Sequence, residues 1–233
     1  MVRDLLTPRR KRGVEILDSP NVDPGVVTRS LADVVRANTL FGGRRSALEE
    51  LKLTLDDLPT DATLLDVGTG LGDIPGAARA LARRRGIRLV TIGVDSAAVL
   101  ARACRKSIDM SICADALHLP FADRSIDVVM CSQVLHHFDD REASVLLREM
   151  NRVAKVRVVV SDLRRSWLAA AGLWVASFPL RFHAVSRHDG VVSVLRGFTT
   201  QELSDTVQRA VARRPVARRR RGFRVTTSWA PVQ

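Results

Sequence analysis

The feature that most constrains this chain is a glycine-rich turn between a short apolar run and an alanine-rich segment. Residues 64–72 read Leu-Leu-Asp-Val-Gly-Thr-Gly-Leu-Gly, and the apolar run stops at the acidic residue Asp66. The alanine-rich segment from Gly76 to Arg85 predicts a helix soon after the turn. Glycine lets a backbone approach a ligand closely, and a helix N-terminus adds a polar field. Strand, turn and helix together therefore predict a cradle for a polar cofactor.

The spacing of the glycines argues against a dinucleotide. The Gly-x-Gly-x-x-Gly pattern of dinucleotide folds would place its third glycine at position 73, where this chain has Asp73. A carboxylate there would repel a pyrophosphate, but it would not repel a ligand that carries a cationic group. The turn therefore disfavours NAD and FAD as cofactors.

Four stretches in chain order resemble the motifs of class I S-adenosylmethionine-dependent methyltransferases. The first, Asp66 to Gly72, matches the family's Asp/Glu-x-Gly-x-Gly-x-Gly signature. On its own it is only moderately specific, since such turns also simply close strand–helix corners. The others are a strand-like run from Arg88 to Asp95, the segment Asp115 to Phe121, and a run from Ser125 to Phe138 that contains Leu-His-His. The order of all four carries the resemblance.

The resemblance implies roles for polar residues at the ends of these motifs. Asp95 would accept hydrogen bonds from both ribose hydroxyls, although the same position equally suits the N-cap of the next helix. Asp115 would accept from the adenine amino group, and the amide of Ala116 would donate to an adenine ring nitrogen. The cofactor contacts that the resemblance implies are Asp66, Gly68, Thr69, Gly70, Gly72, Asp95, Ser96, Asp115, Ala116 and Cys131.

Length and charge bound the class of protein. The 233 residues suffice for one α/β domain with an N-terminal extension. A net charge of +12 suggests nucleic acid as a partner, but the basic residues are spread over clusters at Arg9–Arg12, Arg83–Arg85 and Arg218–Arg221, the last predicted to be an exposed hairpin. With no tyrosine and 4% aromatic residues, the chain lacks obvious platforms for stacking bases. Composition therefore disfavours a nucleic-acid substrate.

Cysteine usage and the N-terminus predict a reducing, cytoplasmic location. Cys104, Cys113 and Cys131 form no Cys-x-x-Cys pair, and the last two fall on predicted strands, so we expect buried thiols. The first residues show no apolar block typical of a secretion signal. No set of histidines, cysteines and carboxylates has the spacing of metal ligands, so we expect no metal.

Strand–helix alternation predicts an α/β fold with a parallel sheet. The resemblance makes this a Rossmann-like class I methyltransferase fold, with seven strands and an antiparallel C-terminal hairpin. We expect residues 1–60 to form an N-terminal region, with a loosely held arm to residue 25 and then two helices broken at Gly42-Gly43. Residues 61–233 would form the cofactor-binding domain.

An insertion at residues 163–198 departs from a minimal domain of this kind. Ser166 to Leu180 carries no charged residue, but it is shorter than the ~20 residues of a membrane span and is interrupted by Pro179. One interpretation is an extra helix packed on the sheet. The other is a lid over an apolar substrate pocket, which would allow transient contact with a membrane surface.

The chemistry is expected where the parallel strands end. Asp66, Asp95, Asp115, His136 and Asp162 each follow a strand, so they would collect along one rim of the sheet. His136 or His137 would remove a proton from the acceptor, oriented by Asp162. The alternative is that the paired histidines only cap the turn or line the pocket.

A second polar group, Arg187-His188-Asp189-Gly190, resembles a subgroup of bacterial small-molecule methyltransferases. That resemblance brings His188 back into the pocket, whereas the local sequence equally suits a plain turn. His118 and His183 have no partner spacing and are expected to be structural or exposed.

The sequence thus predicts methyl transfer from S-adenosylmethionine to oxygen or carbon of a small, partly hydrophobic metabolite such as a phenol, a quinone precursor or a polyketide. Two alternatives stay open. An RNA methyltransferase is one, although Ser132-Gln133-Val134 stands where the Asn/Asp-Pro-Pro-Tyr motif of base methylation belongs. The other is a partner subunit that binds the cofactor without catalysis. The oligomeric state is left open.

Overall fold

A seven-stranded, mostly parallel sheet forms the centre of the protein. The structure is a computed structural model and describes residues 7–11, 13–19 and 21–232. Residues 1–6, Arg12 and Pro20 of the predicted arm, and residue 233, lie outside the described residues. The strands are β1 (Asp61–Val67), β2 (Arg88–Asp95), β3 (Met110–Cys113), β4 (Ile126–Ser132), β5 (Ala154–Leu163), β6 (Arg218–Arg220) and β7 (Arg224–Trp229).

The described residues also form eight α-helices that cover the sheet and extend beyond its rim. Two of them begin with a capping box, in which the N-cap side chain and the third helical residue satisfy each other's backbone amides: Asp139 with Glu142, and Thr199 with Glu202. The helices are α1 (Pro24–Leu40), α2 (Gly43–Lys52), α3 (Asp73–Arg83), α4 (Ala98–Ala103), α5 (Asp140–Val153), α6 (Trp167–Ser177), α7 (Ala184–Arg196) and α8 (Thr200–Val211).

The strand order is β3-β2-β1-β4-β5-β7-β6, with β7 antiparallel to both of its neighbours. This confirms the predicted fold, including the C-terminal hairpin and the two N-terminal helices separated at Gly42-Gly43. Because chain order reverses between β1 and β4, their carboxyl ends flank the crevice where open parallel sheets bind ligands. The division of the chain at residue 60 stays a prediction.

Strand β4 divides the core into two halves. Every residue of this strand is buried, so alternate side chains serve opposite faces of the sheet. Val129 and Cys131 pack with α5 and α8, among residues such as Leu146, Leu147, Met150, Leu203 and Val207. Val128 and Met130 pack with α2 and α3, among residues such as Ala47, Leu51, Ile74, Ala78 and Ala82.

A buried carboxylate ties α2 to the C-terminal hairpin. Glu50 is fully buried and accepts hydrogen bonds from Arg218 (2.9 Å), Arg220 (2.7 Å) and the hydroxyls of Thr226 and Ser228 (2.7 Å each). Burial opposes ionisation, but these donors outweigh it and hold the pKa of Glu50 below its ordinary value. The prediction of an exposed arginine cluster is therefore wrong for Arg220, whose side chain is 18% exposed.

The segment before α1 is fixed against α7. The carboxylate of Asp189 accepts hydrogen bonds from the backbone amides of Ile16 and Leu17, at 2.9 Å each. Glu15 is 5% exposed and accepts from Ser193 and Arg196 of the same helix. The expectation of a loosely held arm is thus wrong for residues 13–19, because α7 supplies polar partners that the local sequence does not reveal.

The insertion contains two helices, α6 and α7, and the second includes the whole Arg187–Gly190 stretch. The interpretation of that stretch as a turn is therefore wrong. A further correction concerns Cys113, which is exposed although Cys104 and Cys131 are buried. Cys113 lies on the edge strand β3, where one flank has no neighbouring strand. No helix among the described residues is both long enough and apolar enough to cross a bilayer.

Candidate active site

The glycine turn after β1 bends sharply and leaves one face open. Gly68, Gly70 and Gly72 all have positive φ, at 71°, 54° and 74°, a region that disfavours other residues. A Cβ on Gly68 would come within 2.4 Å of Val134, so packing also demands glycine there. At Gly70 a Cβ would meet no atom of the described residues within 4 Å. The open face of the turn is therefore at Gly70.

Three carboxylates surround this turn. Asp95 Oδ2 accepts from the Gly70 amide and Oδ1 from the Ala97 amide, at 3.0 Å each, so Asp95 fixes the turn from the end of β2. Asp66 is 2% exposed, and its Oδ1 has no hydrogen-bond partner among the described residues. The same holds for Oδ2 of Asp73, at the start of α3. Buried polar atoms without partners are rare in proteins and point to a ligand that supplies them.

Burial and mutual repulsion disfavour negative charge in this group. Burial raises the pKa of Asp66 to about 8, and the charges of Asp73 and Asp95 add to the effect, while the Thr69 hydroxyl opposes it. Burial also raises the pKa values of Asp73 and Asp95. A cationic ligand with hydrogen-bond donors would relieve both the repulsion and the missing hydrogen bonds.

A second polar group lies where β4 and β5 end. His136 is 3% exposed, and its Nδ1 lies 2.7 Å from Oδ1 of the fully buried Asp162. Asp162 Oδ2 accepts from the His136 amide at 3.2 Å, and Oδ1 also accepts from the Leu163 amide at 2.6 Å. Burial raises the pKa of Asp162, but His136, the Leu163 amide and His137 together outweigh it, so the net pKa is below the ordinary value. An ionised Asp162 favours the tautomer in which Nδ1 donates and Nε2 is free to accept a proton.

The loop after β4 explains how His136 reaches Asp162. Gln133 adopts a left-handed conformation with φ 58°, and its amide donates to the carbonyl of Ser161 at 2.8 Å. Its side-chain amide donates to Asn38 of α1. These two contacts hold the loop beside β5 three residues before His136. The sequence gives no sign of this contact between Gln133 and Asn38, because an unusual φ at a glutamine leaves no local pattern.

A second carboxylate, Glu15, comes to this group from the segment before α1. Its Oε1 lies 3.8 Å from His136 Nε2, and its Oε2 lies 3.9 Å from His137 Nδ1. His136 Nε2 itself is buried and has no hydrogen-bond partner among the described residues. Glu15 was missed from the sequence since it is more than a hundred residues away and belongs to no motif.

His137 is paired with a carboxylate of the same segment. Its Nδ1 lies 3.2 Å from Asp18 Oδ1, and its ring centroid is 4.3 Å from that of His136. Burial lowers the pKa of His137, but the bond to Asp18 and the charge of Glu15 outweigh it and raise the net pKa. His137 therefore gains a proton more readily than an ordinary histidine.

Glu15, His136 and His137 bring three potential metal-ligand atoms within 4.8 Å of one another. The carboxylates beside the histidines already have a cation, because Arg196 Nη1 lies 3.0 Å from Glu15 and 3.1 Å from Asp18. A divalent ion would have to compete with that guanidinium. We therefore interpret the group as a hydrogen-bonding cluster rather than a metal centre.

Comparisons with known proteins agree with this geometry. Residues 65–160 match the family model of a methyltransferase domain. Two curated relatives are demethylmenaquinone methyltransferases. The one from Thermotoga maritima is 36% identical over 104 residues, which cover 43% of each chain. The one from Roseiflexus sp. is 34% identical over 124 residues, which cover 50% of each chain.

Residues 65–160 are thus similar to methyltransferase domains, and the strand order of the sheet is the one that the class I resemblance implies. The chain spans about half the length of the curated relatives it matches. A solved structure extends the fold comparison. It is an S-adenosylmethionine-dependent methyltransferase, a possible histamine N-methyltransferase from Thermotoga maritima, with a TM-score of 0.59 and 16% identity over 89% of this chain and 99% of that one.

The part of the chain that matches the methyltransferase family contains residues that fit S-adenosylmethionine. The open face at Gly70 leaves room beside the turn, and the unpartnered oxygens of Asp66 and Asp73 suit the cationic ammonium and sulfonium groups of S-adenosylmethionine. Thr69, which is 5% exposed, belongs to the turn, and its amide donates to the Val94 carbonyl at 3.0 Å. Asp95 would hold the ribose end, as the resemblance implies.

The other predicted cofactor contacts lie in different settings. Asp115 is 58% exposed on its side chain and already accepts from the Leu117 amide at 2.9 Å. Ser96 is exposed beside Asp95, and Ala116 is half-buried in the loop after β3. Cys131 is fully buried in the core of the methyltransferase domain, and burial raises the pKa of its thiol. Their cofactor roles stay predictions.

The remaining histidines lie outside the cluster. His188 lies on α7 with its side chain 51% exposed, and its Nδ1 is 2.8 Å from Asp189 Oδ1. His118 is 81% exposed beside Asp115, and His183 caps α7 by accepting from the Val185 amide. The structure thus joins His136, His137, Asp162 and Glu15, while His188 is held beside the carboxylate that anchors residues 16 and 17.

Proposed function

We propose that the protein is an enzyme that methylates an oxygen or carbon atom of a small, partly hydrophobic acceptor. The observation that carries the proposal is the juxtaposition of two polar groups at one rim of the sheet. Carboxylates with unpartnered oxygens, Asp66 and Asp73, lie at the end of β1 and the start of α3. An oriented histidine–carboxylate pair lies where β4 and β5 end. The first group suits a cationic methyl donor, and the second suits an acceptor that must lose a proton.

Bound S-adenosylmethionine would supply an activated methyl group, which leaves the protein to align the acceptor and manage its proton. Asp66 and Asp73 would bind the cationic part of the cofactor, and Asp95 would fix the ribose while it holds the Gly70 amide. These tasks need no change of protonation at the histidine cluster. Binding and proton transfer would therefore depend on separate residues.

We propose His136 as the residue that takes the acceptor's proton. Asp162 holds Nδ1, so the lone pair of Nε2 would receive the proton from a hydroxyl or an acidic carbon. The charge of Asp162 would then stabilise the imidazolium. General base catalysis by a positioned side chain typically raises the rate about 10²–10⁴-fold. Because Glu15 lies 3.8 Å from Nε2, the segment at residues 13–19 would shift to admit the acceptor.

The class of acceptor follows from the relatives and from the insertion. Both curated relatives are named for a demethylated quinone, demethylmenaquinone. Beyond β5, a small apolar cluster of Leu163, Ala170 and Val194 joins the insertion to the sheet. These features support a phenol, quinone precursor or polyketide as acceptor.

The direct test is methyl transfer from labelled S-adenosylmethionine to a panel of quinols, phenolic acids and alkylresorcinols, with RNA as a further acceptor. We expect label in one of the small molecules, identified by mass spectrometry, and none in RNA. The His136→Asn variant should bind the cofactor in calorimetry yet transfer little label. Cofactor binding without any labelled acceptor would instead indicate a non-catalytic subunit and would contradict the proposal.

A further inference from the structure

Helix α6 presents an apolar face to solvent. Its buried side consists of Ala170 and Ser177, which are 4% and 0% exposed, and the helix packs there against α7. At 100° per residue the exposed positions form one continuous arc along the other side. The large side chains of this arc are Trp167 (44% exposed), Leu168 (59%), Trp174 (51%), Val175 (60%) and Phe178 (48%).

An apolar face of this kind usually marks an interaction site, because isolated soluble proteins rarely expose contiguous apolar patches. The helix has 11 residues, which at 1.5 Å per residue is about 16 Å, against the ~30 Å of a bilayer's hydrocarbon core. It therefore has the length of a helix that lies along a surface. Tryptophan suits such a position because its ring is apolar and its N–H is polar.

The charge around this face is positive. Lys11 Nζ lies 5.6 Å from the centre of the Trp167 ring, and the guanidinium of Arg187 lies 3.8 Å from that of Phe178. Arg181 is exposed just after the helix. From residue 163 to residue 188 the sequence has no aspartate or glutamate.

The neighbouring helices do not offset this charge at the surface. Helices α1 and α7 carry one carboxylate each, Asp33 and Asp189, and these are 5% and 4% exposed. Asp33 accepts from the His183 amide and the Ser186 hydroxyl, and Asp189 accepts from the amides of Ile16 and Leu17. Both negative charges are therefore occupied inside the protein.

We propose that this apolar-basic face, formed by Lys11, residues 167–181 and Arg187, docks on the surface of an anionic lipid bilayer. Apolar side chains that enter the headgroup region and cations that meet anionic lipids are the two terms that bind surface helices to membranes. A second copy of the chain is a poorer occupant, since a symmetric contact would bring the same cations together. A bilayer neutralises them.

The tryptophans make a direct test possible in the unmodified protein. The chain has three, of which Trp167 and Trp174 belong to the face while Trp229 is 2% exposed in the core. With vesicles of equal parts phosphatidylcholine and phosphatidylglycerol, we expect a blue shift of emission and quenching by brominated acyl chains. Partitioning should be about tenfold to a hundredfold weaker on pure phosphatidylcholine, and weaker again at high salt.

A charge-reversing variant and a matched control test the location. Leu168→Glu with Val175→Glu keeps both reporter tryptophans and should reduce partitioning at least about tenfold. Leu53→Glu with Val216→Glu alters two other exposed apolar residues, 54% and 68% exposed, by the same charge and should partition almost as the parent protein does. Thermal melts of both variants would verify that they fold.

Three results would overturn the proposal. One is the absence of any vesicle-dependent emission change in the parent protein. Another is equal loss of partitioning in the two double variants. The third combines two observations: the parent protein does not bind vesicles, and the Leu168→Glu/Val175→Glu variant has a lower molar mass than the parent by light scattering. That result would make the face a contact between copies of the chain.

Discussion

The two halves of the candidate site lie at one edge of the sheet but place their carboxylates in opposite electrostatic settings. After β1 and β2, burial raises the pKa values of Asp66, Asp73 and Asp95, and the described residues include no ion pair to these three. After β4 and β5, histidine and arginine partners lower the pKa values of Asp162 and Asp18 despite burial. In the first half, the charge of Arg44 lowers the pKa of Asp73 without offsetting burial, whereas in the second half histidine and arginine partners are in contact with the carboxylates.

This difference assigns a different task to each half. Carboxylates that repel each other release free energy when a cation binds, so their strain favours a positively charged ligand. Carboxylates already paired with histidines are preorganised, and they can stabilise a new positive charge on the imidazole without rearrangement. The comparison therefore separates binding from proton transfer, and variants of single residues can test that separation.

The largest effect is expected from Asp162→Asn. The amide would keep the shape of the site but would no longer hold His136 in the tautomer with a free Nε2, so turnover should fall about 10²–10⁴-fold. Cofactor affinity, measured by calorimetry, should change little. Asp56→Asn makes the same change at an exposed aspartate, whose side chain is 83% exposed, and serves as the control. Turnover at the parent rate in Asp162→Asn would contradict the assignment of proton transfer to the residues after β4 and β5.

A smaller effect, on binding alone, is expected from Asp95→Ala. Loss of hydrogen bonds to a charged acceptor should weaken cofactor binding by about 1.5–3 kcal/mol, and loss of the bond to the Gly70 amide would add to it. Asp61→Ala provides the matched control, because Asp61 is exposed and starts β1 at the opposite end of the sheet. Equal calorimetric affinities for the two variants would place the cofactor elsewhere.

The third effect, the smallest when it is expressed per pH unit, concerns the stability of the cofactor-free protein. The pKa of Asp66 is raised from 3.8 to about 8, so the folded state keeps a proton that the unfolded state loses. Its contribution is fully present below the unfolded pKa and is lost as pH rises through the folded pKa, with a slope of at most about 1.4 kcal/mol per pH unit. The pH dependence of the Asp162 contribution to stability has the opposite sign, because that contribution is lost as the pH falls through the lowered pKa of Asp162.

Urea unfolding between about pH 5 and pH 8 measures this slope. Asp66→Asn should remove the decrease in the free energy of unfolding that accompanies rising pH. The parent protein should show that decrease only in the absence of cofactor. A bound cation would lower the pKa of Asp66, so calorimetry in buffers of different ionisation enthalpy should detect proton release on binding at neutral pH. Identical pH profiles for the parent and Asp66→Asn would contradict the raised pKa.

The residues nearest to the motifs were predictable from the sequence, and those that arrive from elsewhere were not. Asp66, Asp95 and Asp162 end or follow buried strands, and parallel strands bring their carboxyl ends together, so the rim could be inferred from local patterns. In contrast, Glu15 reaches the histidines only because α7 holds residues 13–19.

The errors have the same origin in tertiary context. Arg187–Gly190 has the composition of a turn, yet Asp33, Ser177 and Asp189 provide the contacts that keep α7 helical and attached. Cys113 alternates like a buried strand residue, but only the position of β3 at the edge decides its exposure. Neither fact can be read from neighbouring residues.

Glu50 has a consequence for any attempt to shorten the chain. Its negative charge, in the N-terminal half, is balanced by Arg218 and Arg220 near the C-terminus. These ion pairs connect α2 to the C-terminal hairpin. A fragment without β6 and β7 would leave the buried Glu50 carboxylate without its arginine partners, which would destabilise the fold by about 3–5 kcal/mol. Since whole domains are stable by about 5–15 kcal/mol, a fragment that keeps α2 but ends before β6 would lose a large part of its stability.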